Sequence, residues 1–274
     1  MPKPPLNKDT ILCISLAARP SNIGTRFHNY LYEQLGVDFI YKAFTTTNIA
    51  GAVGGVRALG IRGCSVSMPF KEAVIALVDE LDETAAAIQS VNTIVNTDGH
   101  LKAYNTDYGA IRDLIVGHGL VAGKSLLIRG SGGMAKAVGA AFRDAGFTNG
   151  TLIARNAETG QSLASQLGYR WAADDSGLTA DIIVNVTPIG MAGGSDGTEV
   201  AFTADAIRAA ETIFDVVAFP SETPLIVAAR ALGKRVITGA EVIALQAAKQ
   251  FELYTGVHPT EQEILEASSY SRSV

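Results

Sequence analysis

The sequence predicts an α/β protein of two units, and three observations carry this prediction. Its 274 residues exceed the length of one average domain. Short apolar runs alternate with longer amphipathic segments, a pattern typical of parallel strands joined by helices. A glycine-rich turn, "GSGGMA", follows one apolar run and precedes an alanine-rich segment near the middle of the chain. We therefore expect a second α/β unit that begins near Tyr108.

The first unit reads as alternating strands and helices. The predicted strands are "ILCISLA", "DFIYKAF" and "IRGCSVSM". The predicted helices are "TRFHNYLYEQLG", which Gly36 closes, "IAGAVGGVRALG", and a third that begins near Pro69, a residue well tolerated in a first helical turn. A further helix then leads into a hairpin at Asp98-Gly99, a pair that favours tight turns. The alternation predicts a mostly parallel sheet.

The second unit repeats this alternation after the glycine-rich turn. Further strands are predicted at "GTLIARN", "ADIIVNVTP", "TIFDVVAF" and "RVITG", with helices between them, of which "ETGQSLASQLG" is the clearest. A long helix, "GAEVIALQAAKQFELYTG", comes last, and the residues after it read as a polar tail.

Composition excludes several classes of function. A formal net charge of −5 with scattered Lys and Arg argues against nucleic acid as a partner. No apolar run is long enough for a membrane span, and the first ten residues lack the apolar core of a signal peptide, so we expect a cytoplasmic protein. Cys13 and Cys64 predict no disulfide framework, and Cys64 reads as a buried apolar side chain. The four histidines show no metal-ligand spacing, so no metal is expected.

The glycine-rich turn is a candidate dinucleotide site. Glycine lets the backbone approach a pyrophosphate, and the N-terminus of the following helix offers N–H donors. The spacing is GxGGxA instead of GxGxxG, with a small alanine in the third position. The candidate residues are Gly130, Ser131, Gly132, Gly133, Met134 and Ala135. A purely structural turn remains the alternative.

The strand after this turn bears on the choice of cofactor. In NAD sites an acidic residue near the end of this strand accepts the ribose 2′-hydroxyl. Here the strand ends at Arg155, and no acidic residue follows until Glu158. A guanidinium suits a 2′-phosphate, so the sequence favours NADP over NAD, although an ordinary exposed arginine is an open alternative.

The segment "VSMPFKEA" raises a separate question about Lys71. Pro69 and Phe70 bring this lysine into a predicted first helical turn, where most lysines are solvated surface charges. A lysine held at a reaction centre can instead donate and accept a proton. The residues alone leave both readings open.

Seven motifs in register resemble those of the shikimate dehydrogenase family. They are "VSMPFKEA", "SVNTIV", "AYNTDYGA", "GSGGMAKAV", "NVTPIGM", "DVVAFPSETPL" and "GAEVIALQAAKQF", and they extend over Ile14 to Gly256. The likeness is greatest to a divergent, shikimate dehydrogenase-like branch. It implies a substrate domain in 1–106, a doubly wound, Rossmann-type NADP-binding domain in 107–238, and a C-terminal helical segment in 239–274 that returns to the first domain.

The resemblance also implies roles for individual residues. Lys71 matches the catalytic lysine, and Asp107 matches the aspartate that supports it and binds substrate. The other implied substrate-binding residues are Ser67, Asn92, Gln246 and Asn22. Thr187 and Gly239 match positions near the dinucleotide, where Gly130 to Ala135 and Arg155 also map.

Some positions depart from the family pattern. Asn22 and Gly24 stand where two serines hold the substrate carboxylate, and Ala218 stands where a tyrosine is usual. Thr159 replaces a second arginine near the 2′-phosphate. The resemblance thus implies a small hydroxy-acid substrate and a place in aromatic amino acid biosynthesis, in a monomer or homodimer. The implied function is an NADP-dependent oxidoreductase that interconverts shikimate, or a close hydroxy-ring carboxylate, and its 3-dehydro ketone, with low efficiency on shikimate. The alternatives are a dehydrogenase of quinate or another polyol acid and a weakly catalytic dinucleotide-binding regulator.

Overall fold

The computed structural model describes residues 3–273 and divides into two compact units. The first contains residues 3–106 and 244–273, and the second contains residues 107–243. The last segment of the chain therefore returns to the first unit, as predicted. It joins that unit from Ala244 onward, whereas the sequence places the boundary after residue 238.

The first unit is built on a six-stranded sheet. Its strands are β1 (Ile11–Ala17), β2 (Phe39–Thr45), β3 (Gly63–Val66), β4 (Glu80–Leu81), β5 (Thr93–Thr97) and β6 (His100–Tyr104). They lie in the order β2-β1-β3-β5-β6-β4. β1 pairs parallel with β2 and β3, but β5 pairs antiparallel with β3 and β6. The sheet is mixed because Asp98 and Gly99, both at positive φ, turn the chain back as the predicted hairpin.

The second unit contains a six-stranded parallel sheet. Its strands are β7 (Leu126–Arg129), β8 (Gly150–Ile153), β9 (Arg170–Ala172), β10 (Ile182–Asn185), β11 (Thr212–Asp215) and β12 (Arg235–Thr238). Their order, β12-β11-β10-β7-β8-β9, reverses direction at β7. This is the doubly wound topology, which confirms the predicted fold class.

Ten α-helices connect these strands or follow them within the described residues. Those before the second sheet are α1 (Ile23–Gln34), α2 (Ile49–Ala58), α3 (Glu83–Ile88) and α4 (Thr106–Gly117). The others are α5 (Gly133–Asp144), α6 (Ala157–Leu167), α7 (Ala204–Ala209), α8 (Pro224–Ala231), α9 (Gly239–Thr255) and α10 (Glu261–Arg272). A 3₁₀ helix spans Ala73–Leu77.

Apolar side chains cover both faces of the first sheet. Cys13 and Ile14, neighbours on β1, point to opposite faces and belong to different clusters. The cluster around Cys13 includes Phe27 of α1 and Phe251 of α9. The cluster around Ile14 contains side chains of α2, α3 and the 3₁₀ helix. The first unit therefore has a core on each side of its sheet.

The prediction of a helix that begins near Pro69 is wrong. The Phe70 N–H donates to the Ser67 carbonyl at 3.0 Å, so this segment forms a tight turn, and its Met68–Pro69 peptide bond is cis. Helical structure begins only with the 3₁₀ helix. Lys71 therefore lies between a turn and a helix, not in a first helical turn.

The prediction of a polar tail after α9 is also wrong, because these residues form the helix α10. Thr260 and Glu263 form a capping box, in which the Thr260 N–H donates to the Glu263 carboxylate at 2.7 Å and the Glu263 N–H donates to Thr260 Oγ1 at 3.3 Å. Ala267, Ser268 and Ser271 are buried on the inner side of α10. Small residues form this buried side, which is why the segment reads as polar.

No helix within residues 3–273 combines the length and the apolar character that crossing a bilayer would require.

Candidate active site

The first unit holds three of the predicted site residues together near the end of β3. Ser67 follows this strand directly and is exposed. The Val66 N–H donates to the Asn92 carbonyl at 2.8 Å, and the Val91 N–H donates to the Lys71 carbonyl at 2.8 Å. These two backbone bonds fix Lys71 beside the segment that carries Asn92, although the two residues are far apart in sequence.

Asn92 is the centre of a buried polar cluster. Its Oδ1 accepts a hydrogen bond from the Thr106 N–H at 2.9 Å, and its Nδ2 donates to Thr106 Oγ1 at 3.0 Å. The half-buried Gln246 of α9 joins them, since its Oε1 lies 3.5 Å from Asn92 Nδ2 and 3.4 Å from Thr106 Oγ1. Asp107 follows Thr106 in the chain. It is the first residue of the second unit and lies in the first turn of α4. The sequence analysis did not single out Thr106, although this residue lies within the motif "AYNTDYGA", directly before Asp107.

The start of α1 carries no serine at the two positions where the resemblance implies a carboxylate clamp, since Asn22 precedes the helix and Gly24 lies in its first turn. Asn22 is exposed at the N-cap of α1, and its side chain forms no capping hydrogen bond. A Cβ built on Gly24 would lie 3.7 Å from the Tyr41 hydroxyl, an ordinary van der Waals distance. Asn22 thus lies at the start of α1, whereas Asn92 and Gln246 belong to the polar cluster beside β5.

The glycine-rich turn of the second unit connects β7 to α5. Gly130 has φ of +130°, and a Cβ there would lie 2.7 Å from the Val186 side chain, so this position requires glycine. Gly132 is the N-cap of α5 and provides no side-chain cap for its N–H groups. A Cβ on Gly132 would meet no atom within 4 Å, so the backbone there is open to a ligand. The helix continues through Gly133, Met134 and the fully buried Ala135.

Arg155 lies at the end of β8, beside a pair of hydroxyl groups. The Arg155 side chain is exposed and forms no hydrogen bond or ion pair with the described residues 3–273. Asn156 caps α6 by accepting from the Thr159 N–H at 3.1 Å. Thr159 Oγ1 in turn lies 2.9 Å from Ser131 Oγ of the glycine-rich turn. Ser131 and Thr159 therefore connect the glycine-rich turn with the start of α6, the segment that follows Arg155.

A second polar network lies at the carboxyl ends of β10 and β11. Asp215, almost fully buried, accepts from Asn185 Nδ2 at 3.0 Å, from Thr223 Oγ1 at 2.6 Å and from the Val217 N–H. Burial raises the pKa of Asp215 to about 6, and these donors counteract part of that effect. Thr187 donates its hydroxyl to Asn185 Oδ1 at 2.6 Å. Sequence reasoning named Thr187 but missed its polar support, which the strand ends "IIVN" and "TIFD" could have indicated.

Gly239, the other predicted residue near the dinucleotide, has a steric reason to be glycine. A Cβ at this position would lie 2.1 Å from the Val217 carbonyl oxygen. The start of α9 thus packs directly on the backbone that follows β11. Any side chain here would displace that backbone.

Within the described residues, no group of three or more His, Cys, Asp or Glu side chains could hold a metal ion. Cys13 and Cys64 are free and buried, as expected for apolar thiols. Burial raises the pKa of Cys13 to about 12, so this thiol stays protonated at neutral pH.

Comparisons with known proteins agree with this arrangement. Residues 22–94 match the model of the shikimate dehydrogenase substrate binding domain. A shikimate dehydrogenase-like protein of Haemophilus influenzae is 55% identical over 268 residues, which cover 98% of this chain and 99% of that protein. The shikimate 5-dehydrogenase of Thermus thermophilus, solved with NADP(H) and shikimate, is 27% identical with a TM-score of 0.85, over 95% of this chain and 99% of that one. A quinate dehydrogenase of Corynebacterium glutamicum, solved with NAD, is 25% identical with a TM-score of 0.87, over 97% and 99%.

The fold and the two groups of site residues define a two-unit α/β protein with a doubly wound nucleotide-type domain. The chain belongs to the shikimate dehydrogenase family, as its motifs predict. Its relatives include NADP(+)-dependent shikimate dehydrogenases, which are oxidoreductases.

Proposed function

We propose that the protein is an NADP-dependent dehydrogenase that interconverts shikimate, or a close hydroxy-ring carboxylate, and its 3-dehydro ketone. The observation that carries this proposal is the grouping of Lys71 with the cluster of Asn92, Thr106 and Gln246. An ammonium and several amide or hydroxyl groups suit a substrate with many oxygens. The Thermus thermophilus relative, solved with NADP(H) and shikimate, supports the same substrate class and cofactor.

Lys71 is the proposed proton-transfer residue. A bound NADP⁺ would supply the hydride acceptor for the carbon that carries the reacting hydroxyl. The hydroxyl proton passes to the neutral amine of Lys71, and in the opposite direction the Lys71 ammonium donates it to the ketone oxygen. We assign to Asp107 a hydrogen bond from a substrate hydroxyl. Asn92 and Gln246, with Ser67 nearby, would bind the remaining oxygens.

The donors of the second unit fit a phosphorylated dinucleotide. The uncapped N–H groups at the start of α5 and the open backbone at Gly132 suit a diphosphate. Arg155 would pair with a 2′-phosphate, and Ser131 and Thr159 would flank it with hydroxyl groups. One cation in this place supports a modest preference for NADP, with NAD as the weaker cofactor.

We propose low efficiency on shikimate itself. Asn22, Gly24 and Ala218 offer one amide donor where three hydroxyl groups would otherwise bind a carboxylate. Quinate or another polyol acid is a second candidate substrate, since the Corynebacterium glutamicum relative is a quinate dehydrogenase. The cytoplasmic location and the monomeric or homodimeric state stay predictions.

The test is a panel of hydroxy-acids, including shikimate and quinate, with NADP or NAD, followed by nicotinamide absorbance. Lys71→Ala should lower kcat by roughly 10²–10⁴, the usual range for a positioned acid or base, with little change in NADP affinity. The matched control is Lys8→Ala, which removes a lysine of the same unit whose side chain is 87% exposed. Near-normal turnover by Lys71→Ala would make Lys71 a surface charge and overturn its assigned role.

A further inference from the structure

A chain of hydrogen bonds connects Asn92 with the interior of the first unit. Thr93 Oγ1 lies 2.8 Å from Asn92 Oδ1, and Gln250 Nε2 lies 2.9 Å from Thr93 Oγ1. Gln250 Oε1 lies 2.9 Å from Ser65 Oγ. Thr93 is fully buried and Gln250 is 3% exposed, so water does not compete for these bonds.

Two backbone groups determine which atom donates in each of these bonds. Gln250 Nε2 also donates to the Asn92 carbonyl at 3.3 Å, and a carbonyl can only accept. The Gln250 amide therefore turns its nitrogen toward Thr93 and its oxygen toward Ser65. Thr93 Oγ1 accepts from Gln250, so its own proton goes to Asn92 Oδ1.

The second backbone group acts on Asn92 from the other side. The Thr106 N–H, which can only donate, points to the same Asn92 Oδ1 at 2.9 Å. The side-chain oxygen of Asn92 is thus occupied by two donors within the protein. Of the two N–H groups of Asn92, one donates to Thr106 Oγ1 at 3.0 Å, and the other faces Gln246 Oε1 only at the long distance of 3.5 Å. This second N–H can serve a ligand, and the ligand group must be an acceptor, such as a hydroxyl, ketone or carboxylate oxygen.

We infer that Thr93 is a positioning residue, which fixes the orientation of the Asn92 amide so that Asn92 presents an N–H group to the substrate. Gln250 supports it by fixing the direction in which the Thr93 hydroxyl donates. This inference rests on the proposed substrate role of Asn92. Thr93 itself need not touch the substrate.

The kinetic test compares two substitutions at one position. Thr93→Val keeps the shape but removes two hydrogen bonds, and it should lower kcat/KM for the turned-over hydroxy-acid about tenfold, through KM, with NADP affinity unchanged. Thr93→Ser keeps the hydroxyl and should retain the native constants. The control is Thr255→Val on α9, which removes a hydroxyl bonded to the Phe251 carbonyl, and it should change neither constant.

A double-mutant comparison separates positioning from a purely structural role. If Thr93 acts through Asn92, Thr93→Val should have no further effect on kcat/KM when Asn92 is already Ala. A tenfold loss in both backgrounds would overturn the inference. Should Thr93→Val fail to fold, Gln250→Met removes the donor to Thr93 and should give the same pattern.

A second measurement needs no substrate and therefore separates this inference from the proposed function. In an NMR measurement, Thr93→Val should increase the rate of hydrogen exchange of the Asn92 side-chain amide about tenfold. Thr93→Ser should leave this rate unchanged. Absence of turnover with every hydroxy-acid would overturn the proposed function alone. Unchanged Asn92 exchange in Thr93→Val would overturn the positioning role.

Discussion

Acidification should destabilise the protein through His28 on α1. The His28 ring is fully buried and stacks on Tyr41, with ring centroids 4.4 Å apart. Neither ring nitrogen has a hydrogen-bond partner of standard geometry among the described residues. Burial lowers the pKa of His28 from 6.5 to about 3, and the neighbouring Gln250 amide offsets only part of this effect.

The direction of this pH effect on stability follows from the protonation of His28 in the folded and unfolded states. Below pH 6.5 the unfolded chain binds a proton at His28, but the folded protein does so only near pH 3. The stabilising contribution is therefore complete above pH 6.5 and is lost as the pH falls through this range. Each pH unit corresponds to about 1.4 kcal/mol, so acidification from pH 7 to about 4.5 should cost about 3 kcal/mol at this residue. That loss is large against a typical total stability of about 5–15 kcal/mol.

The assay is urea unfolding at the two pH values. His28→Phe keeps an aromatic ring against Tyr41 but cannot ionise, so it should lose about 3 kcal/mol less than the native protein on acidification. His258→Gln is the control, because the His258 side chain is 78% exposed, and it should follow the native protein. If His28→Phe loses as much stability as the native protein, the reasoning about His28 is refuted.

Two further predictions concern cofactor and substrate. Arg155→Ala should remove about 1.5–3 kcal/mol of NADP binding free energy and leave that of NAD unchanged, both measured by calorimetry. Thr159→Arg should strengthen the binding of NADP but not that of NAD. Equal losses of NADP and NAD in Arg155→Ala would contradict the 2′-phosphate assignment. Changing Asn22 and Gly24 to Ser and Ala218 to Tyr should lower KM for shikimate, by roughly tenfold or more for each charged hydrogen bond gained. An unchanged KM in this triple variant, with a native protein that is already efficient, would show that other donors bind the carboxylate.

Local chemistry explains which parts of the fold the sequence predicts well. The turn at Gly130 and the hairpin at Asp98-Gly99 were predictable, because few residues other than glycine adopt their backbone angles. The start of the helix after Pro69 was not, because proline is equally suited to a helix start and to a turn. The α10 helix was missed although Thr260 and Glu263 carry a capping-box pattern.

The candidate site was predictable only where a motif names its residues. Lys71, Asn92 and Gln246 follow from the resemblance. In the structure the Lys71 carbonyl accepts from the Val91 N–H, next to Asn92, and Asn92 Nδ2 lies 3.5 Å from Gln246 Oε1. Thr93 and Gln250 lie within the motifs "SVNTIV" and "GAEVIALQAAKQF", but the motifs give no sign of their contact, because the bond between them joins residues 157 positions apart. Such a contact depends on how α9 packs on the sheet, and periodicity within either segment does not encode it.

The division of the first unit between two distant stretches of chain has a consequence for biosynthesis. On a ribosome, the second unit has all its residues once Ile243 has emerged, and it can fold from one continuous stretch. The core around Cys13 and Phe27 cannot close then, because its Phe251, Tyr254 and Ala267 are still to be made. During that interval the apolar side chains of α1 and β2 in this cluster lack the partners that α9 and α10 later provide. The first unit is thus the first to begin and the last to be completed.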